Sequence, residues 1–227
     1  MYYYNMEKFV HRYKTAFTSR DFNFSLAIAL VSLVLAFSFN YFTSNYATEH
    51  AGNQVTDIVL SNIPIFNVDT IFIYGPVVLW LFFVVILLNE PKRIPFALKS
   101  VALFIVIRAI FTTMTHLGPY PYDIPEDFAT GFARTMTFGG DLFFSGHTGL
   151  PFLMALMLGR IHKYYYFVFI GAAVFFGAIV LLGHYHYTID VAAAFFITYT
   201  IYVLSCKWFK KDMKAFYSAD EGMVNGI

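Results

Sequence analysis

Apolar positions along this chain come in long, nearly unbroken runs separated by short polar breaks. Six runs, at about 24–42, 71–88, 96–115, 142–160, 164–183 and 187–206, are each close to 20 residues long. At 1.5 Å per residue, each helix of that length crosses a hydrocarbon core about 30 Å thick. The pattern therefore predicts an all-α membrane protein, a bundle of six transmembrane helices. The connection at 43–70 holds Glu49, Asp57 and Asp69 and has no Lys or Arg. Within it Val55, Ile58, Val59 and Ile63 recur near helical spacing, which predicts a helix lying at the interface before Pro64. Lys99 sits at the start of the third run, where its ammonium is expected to snorkel.

Composition sharpens this reading. The 227 residues are 59% hydrophobic and 13% charged, whereas soluble domains hold about 25% charged residues. The net charge of +1 hides an uneven distribution. Thirteen of the fifteen Lys and Arg lie before the first run, around the second and fourth connections, or after the sixth run. Arg134 alone falls in an opposite-side loop, and Arg108 lies within a run. The positive-inside rule then predicts both termini in the cytoplasm. Three parts are expected: an N-terminal segment at 1–23, a six-helix domain at 24–206 and a basic cytoplasmic tail at 207–227. The N-terminal segment reads either as an amphipathic helix on the membrane or as a solvated basic tail, and no cleavable signal peptide is evident. Cys206 is the single cysteine, so no internal disulfide forms.

Two polar clusters enter these apolar runs. One is Gly139-Gly140-Asp141-Leu142-Phe143-Phe144-Ser145-Gly146-His147-Thr148, and the other is His184-Tyr185-His186-Tyr187-Thr188-Ile189-Asp190. Ionisable groups in membrane segments are costly, so their default reading is functional. His186 and Asp190 are four apart and share a helix face. A carboxylate on one imidazole nitrogen fixes the tautomer and leaves the other free as nucleophile or base. His147, from another helix, is placed to act as the partner acid. Two such histidines suit displacement at phosphorus, one attacking while the other protonates the departing oxygen. Arg108 offers a fork of donors for phosphate oxygens, and backbone N–H groups near Ser145 and Gly146 add to it. By the orientation above, these groups meet at the extracytoplasmic face.

Gly140-Asp141, then Ser145-Gly146-His147-Thr148, together with His186-Tyr187-Thr188-Ile189-Asp190 and Ala194-Phe195, resemble the sphingomyelin synthase family. That family belongs to the type 2 phosphatidic acid phosphatase superfamily of lipid phosphatases and phosphotransferases. Arg108, followed by Thr115, Leu117 and Pro119, is similar to the family's arginine motif. The resemblance implies a catalytic triad in which His186 is the nucleophile, Asp190 its orienter and His147 the leaving-group acid. Arg108, Asp141, Ser145, Gly146 and His184 would contact the substrate. It implies transfer of a phospho-headgroup from a membrane phospholipid to a lipid alcohol such as a ceramide or diacylglycerol. Gly139 departs from the family, which usually has Cys there, and residues 62–65 match its proline-rich first motif only faintly.

Other readings remain beside this one. Water in place of the lipid alcohol would make the chain a lipid phosphatase or a phospholipase C-like hydrolase. His147, His184, His186 and Asp190 have the atoms to bind zinc, although the phosphoryl reading needs no metal and no cofactor. Ser145 as nucleophile would make a serine hydrolase. His184 is either a phosphate contact or a packing residue, and Asp141 either holds His147 or a ligand amine or caps a helix. The loop residues Tyr120, Tyr122, Glu126, Asp127 and Phe128 either bind a cationic headgroup or are solvated. No nucleic-acid partner is expected, and a homo-oligomer is left open.

Overall fold

The computed structural model describes residues 2–120 and 142–218, and every regular element among them is helical. In chain order these are α1 (Tyr2–Thr18), α2 (Arg20–Glu49), α3 (Asp69–Leu88), α4 (Ile94–Met114), α5 (Gly146–Leu158), α6 (Lys163–Leu182), α7 (Thr188–Trp208) and α8 (Lys210–Ser218). Two 3-10 turns, Leu60–Asn62 and Pro91–Arg93, punctuate the connections before α3 and α4. Five helical stretches are long and apolar enough to cross a membrane: α2, α3, Pro91–Met114, α6 and α7. The fourth expected span is shorter. It becomes α5, with 13 residues, or about 20 Å of rise. Leu142, Phe143 and Phe144 are apolar enough to extend it, but Ser145 has an extended backbone (ψ 118°) and starts the helix as its N-cap.

α5 is the centre of the packing. Leu153, Met154, Met157 and Leu158 are fully buried beside Phe104 of α4, Phe169 of α6, and Ala194 and Ile201 of α7. The approach is close at Gly149, where an added Cβ would stand 2.7 Å from the Phe104 ring and 2.8 Å from Thr198 Oγ1. The outward faces of α2 and α3 are equally apolar, with Val34, Leu35, Phe42, Val78 and Leu81 all more than 60% exposed. Such a surface suits lipid and not water.

The up-and-down course brings alternate helix ends together. At one end Phe66 N–H donates to the Leu182 carbonyl, Gly52 N–H to the His116 carbonyl and Ser145 N–H to the Asp190 carbonyl. At the other, the Tyr13 hydroxyl of α1 donates to the Leu88 carbonyl at 2.8 Å, and Arg12 pairs with Glu90 at 3.6 Å. α1 is therefore a helix that docks on the turn between α3 and α4.

Three expectations change. Residues 43–49 continue α2, and the helix expected over 55–63 shrinks to the turn Leu60–Asn62. Asp57 accounts for this, because its carboxylate takes the Val59 and Leu60 N–H groups and the Thr188 side chain and N–H. Burial pushes the Asp57 carboxyl up, but the hydrogen bonds from Thr188, Leu60 and Val59 outweigh it and hold the group below its ordinary value. Lys99 does not snorkel. Its Nζ is 2.6 Å from Asp212 of α8 and 2.7 Å from Ser25 Oγ of α2. The segment read as a basic tail instead contains α8, which buries Phe216 against Phe96 and donates Tyr217 OH to the Met157 carbonyl.

Removing one member of a buried ion pair strands the other charge. Asp212→Ala is expected to destabilise the protein by about 3 kcal/mol in denaturant unfolding of the detergent-solubilised chain. Adding Lys99→Met should recover most of that loss.

Candidate functional site

The site is built at the end where α4 stops and α5 and α7 begin. Arg108 and Thr112 lie one turn apart on α4 and grip the segment that precedes α5. Arg108 Nε donates to the Phe144 carbonyl at 2.8 Å, and Thr112 Oγ1 lies 2.9 Å from the Phe143 carbonyl. This grip keeps Phe143 and Phe144 from joining the helix. Thr112 was not singled out by sequence reasoning, although its i+4 spacing from Arg108 was a signal. Gly146 stands beside the arginine, since a Cβ there would lie 3.6 Å from Arg108 Nε.

Ser145 is fully buried, and its Oγ accepts from Thr148 N–H at 3.4 Å as the cap of α5. Its own N–H donates to the Asp190 carbonyl at 3.1 Å, which ties the start of α5 to the first turn of α7. The serine hydroxyl thus has a structural task as the cap of α5. His147 follows two residues later. Its ring stacks on Phe72 of α3 at 4.1 Å, and its Nε2 lies 3.2 Å from the Phe72 carbonyl. A carbonyl only accepts, so Nε2 carries the proton. Phe72 is itself backed by Tyr185 at 4.1 Å, and the Tyr185 hydroxyl donates to Asp69. His147 lies within electrostatic reach of both His186 and Arg108.

On α7, Tyr187 is the N-cap and Asp190 the third helical residue. Asp190 is wholly buried, and its Oδ2 accepts from Tyr187 N–H at 2.9 Å. The same oxygen stands 3.5 Å from His186 Nδ1. His186 lies in the bend before the N-cap and not on the helix, so the capping turn, and not a shared helix face, brings the two side chains together, at a distance long for a hydrogen bond. Asp190 Oδ1 and His186 Nδ1 have no hydrogen-bond partner among the described residues. Buried polar atoms left in that state are costly, and they are tolerated most readily where a ligand binds.

His184 has a different setting. It ends α6 in a left-handed conformation (φ 56°), with His184 N–H donating to the Leu181 carbonyl and Tyr185 N–H to the Val180 carbonyl. These bonds form a Schellman cap with His where Gly is usual. The buried ring meets Tyr120 edge-on at 5.3 Å, and burial lowers its pKa from the ordinary imidazole value. Like His186 Nδ1, both of its ring nitrogens are buried with no hydrogen-bond partner among the described residues. Asp141 lies outside the described residues, as do Gly139, Gly140, Tyr122, Glu126, Asp127, Phe128 and Arg134. Tyr120 is described, and its hydroxyl lies 3.1 Å from Ser61 Oγ. Among the described residues no group of three or more His, Cys, Asp or Glu is arranged to hold a metal ion.

Chemically, this arrangement offers an imidazole with a carboxylate behind it, a second imidazole holding its proton toward a carbonyl, and a guanidinium at the start of α5 within electrostatic reach of that second imidazole. Ser145→Ala is expected to cost about 1 kcal/mol of stability through the lost cap, and to weaken turnover without abolishing it. Complete loss of activity in a folded variant would instead return Ser145 to the nucleophile role.

No curated protein and no solved structure matches the chain. Residues 139–207, which contain both histidine clusters, match the PAP2 superfamily C-terminal family model. That match supports the phosphatidic acid phosphatase superfamily for this chain, and with it a lipid-phosphate-processing enzyme.

Proposed function

We propose that this protein is an integral-membrane lipid phosphotransferase of the sphingomyelin synthase type. It would move a phospho-headgroup from a glycerophospholipid to a second lipid alcohol. The observation that carries this reading is the convergence of His147, His186 with Asp190, and Arg108 from three helices at one end of an apolar bundle. The superfamily match to the part of the chain holding both histidines supports it further.

In this mechanism Asp190 holds a proton on His186 Nδ1, and His186 Nε2 attacks phosphorus. A P–N bond forms as the bond between phosphorus and the diacylglycerol oxygen breaks. His147, entering this step as the imidazolium, gives its Nδ1 proton to that oxygen and is left as the neutral imidazole with Nε2–H toward the Phe72 carbonyl. The acceptor hydroxyl then attacks phosphorus, His147 takes up the proton it loses, and the P–N bond breaks to free His186. Arg108 and the first N–H groups of α5 balance the charge on the phosphate oxygens. No cofactor enters, because the leaving group is already part of the donor lipid. The distribution of Lys and Arg supports cytoplasmic termini and a site on the extracytoplasmic face.

The test is a lipid product profile of the purified protein. It receives phosphatidylcholine, phosphatidylethanolamine or phosphatidate, with and without ceramide, and products are read by mass spectrometry. A phosphosphingolipid that appears only with ceramide is the expected result. Diacylglycerol released without any acceptor would replace transfer with hydrolysis, the phosphatase reading.

Asp190→Asn should keep the fold and lower turnover by roughly a hundredfold or more, because His186 would be held in the wrong tautomer. Near-native turnover in that variant, measured at equal folded concentration, would remove His186 from the nucleophile role.

A further inference from the structure

Residues 50–68 cross the site end as an irregular strap, and their best-bonded side chain is Asp57. Its Oδ1 accepts from Val59 N–H at 2.8 Å, Leu60 N–H at 3.0 Å and the Thr188 hydroxyl at 2.7 Å. Its Oδ2 accepts from Thr188 N–H at 2.7 Å. Thr188 lies midway between His186 and Asp190, and neighbouring Tyr187 is held as well. The Tyr187 hydroxyl donates to the Gly118 carbonyl at 2.9 Å and accepts from Val55 N–H at 3.2 Å. Successive backbone N–H groups at 187 and 188 therefore end on two different carboxylates, Asp190 and Asp57. N–H groups at a helix N-terminus are satisfied by capping side chains, water or ligands. Here they are used to fix the turn that joins His186 to Asp190.

That turn sets a distance with little slack. His186 Nδ1 and Asp190 Oδ2 are 3.5 Å apart, so a small rotation of the intervening peptides decides whether they bond. From this geometry we infer that Asp57 is a positioning residue for the reaction: by gripping Thr188 it sets the alignment of the His186–Asp190 pair. The inference rests on the phosphotransfer reading above. It assigns to the strap a task that local sequence spacing does not reveal.

Asp57→Asn preserves the side chain's shape but replaces one acceptor oxygen with a donor, so the Thr188 bonds cannot all survive. Thr188→Val removes the hydroxyl from the other side and serves if the first variant folds poorly, while Thr188→Ser keeps it. With phosphatidylcholine or phosphatidylethanolamine presented with ceramide in detergent micelles, Asp57→Asn and Thr188→Val are each expected to lower kcat roughly tenfold or more, with KM little changed. Thr188→Ser should retain kcat, and the double variant should be no slower than the slower single one. Hydrogen exchange across 186–190 should quicken in Asp57→Asn, whether or not substrate is present. Unchanged exchange there, or an unchanged kcat beside a lowered melting temperature, overturns this inference alone. A wild-type chain that turns over neither phospholipid overturns the catalytic reading and the inference with it, and the exchange result tells the two failures apart.

Discussion

The hydrogen bond from Ser145 N–H to the Asp190 carbonyl, 3.1 Å long, is the joint on which the site end depends. It is a backbone bond, so it fixes the start of α5 against the first turn of α7 whatever the side chains do. Around it lie the groups that an apolar bundle has reason to exclude. Each is admitted because a specific partner satisfies part of its bonding: Arg108 by the Phe144 carbonyl, His147 by the Phe72 carbonyl, and Asp190 by Tyr187 N–H. Asp190 Oδ1 and His186 Nδ1, on either side of the α7 N-cap, are among the buried atoms left without a partner among the described residues, as are both ring nitrogens of His184 and Thr148 Oγ1.

The arrangement also divides labour among segments. α4 supplies the arginine and restrains the approach to α5, and α3 supplies both a stacking ring and a carbonyl for His147. The strap at 50–68 secures the first turn of α7 through Asp57. Catalytic geometry in the proposed mechanism thus comes from parts of the chain that carry no reacting atom. This fits the general finding that small misplacements of reacting groups are expensive.

The legible part of the structure was what local periodicity encodes. Long apolar runs located five of the expected spanning helices, four of them within a few residues and α2 running on to Glu49, and the four-residue spacing left His186 beside Asp190 across the N-cap of α7. The fourth run misled on length because hydropathy records that Leu142, Phe143 and Phe144 are apolar, and not that α4 holds two of their carbonyls. Asp57 and Thr188 are 131 positions apart, and Phe72 and His147 are 75 apart. Pairings across such separations leave no periodic trace, so the connection read as a surface helix and Lys99 as a snorkelling residue. Ser145 was legible as part of a motif, but its role as a cap appeared only with its backbone angles.

The docking of α8 bears on the order in which the protein is made. Lys99 lies early in α4, and its counter-ion Asp212 is 113 positions later. A ribosome therefore delivers the ammonium long before the carboxylate exists. During that interval the Ser25 hydroxyl, already synthesised, is the group from this network that can solvate it. The bundle reaches its full complement of charges only when α8 emerges and folds back, so biogenesis closes from the far end of the chain, on the side of the bundle opposite the histidines.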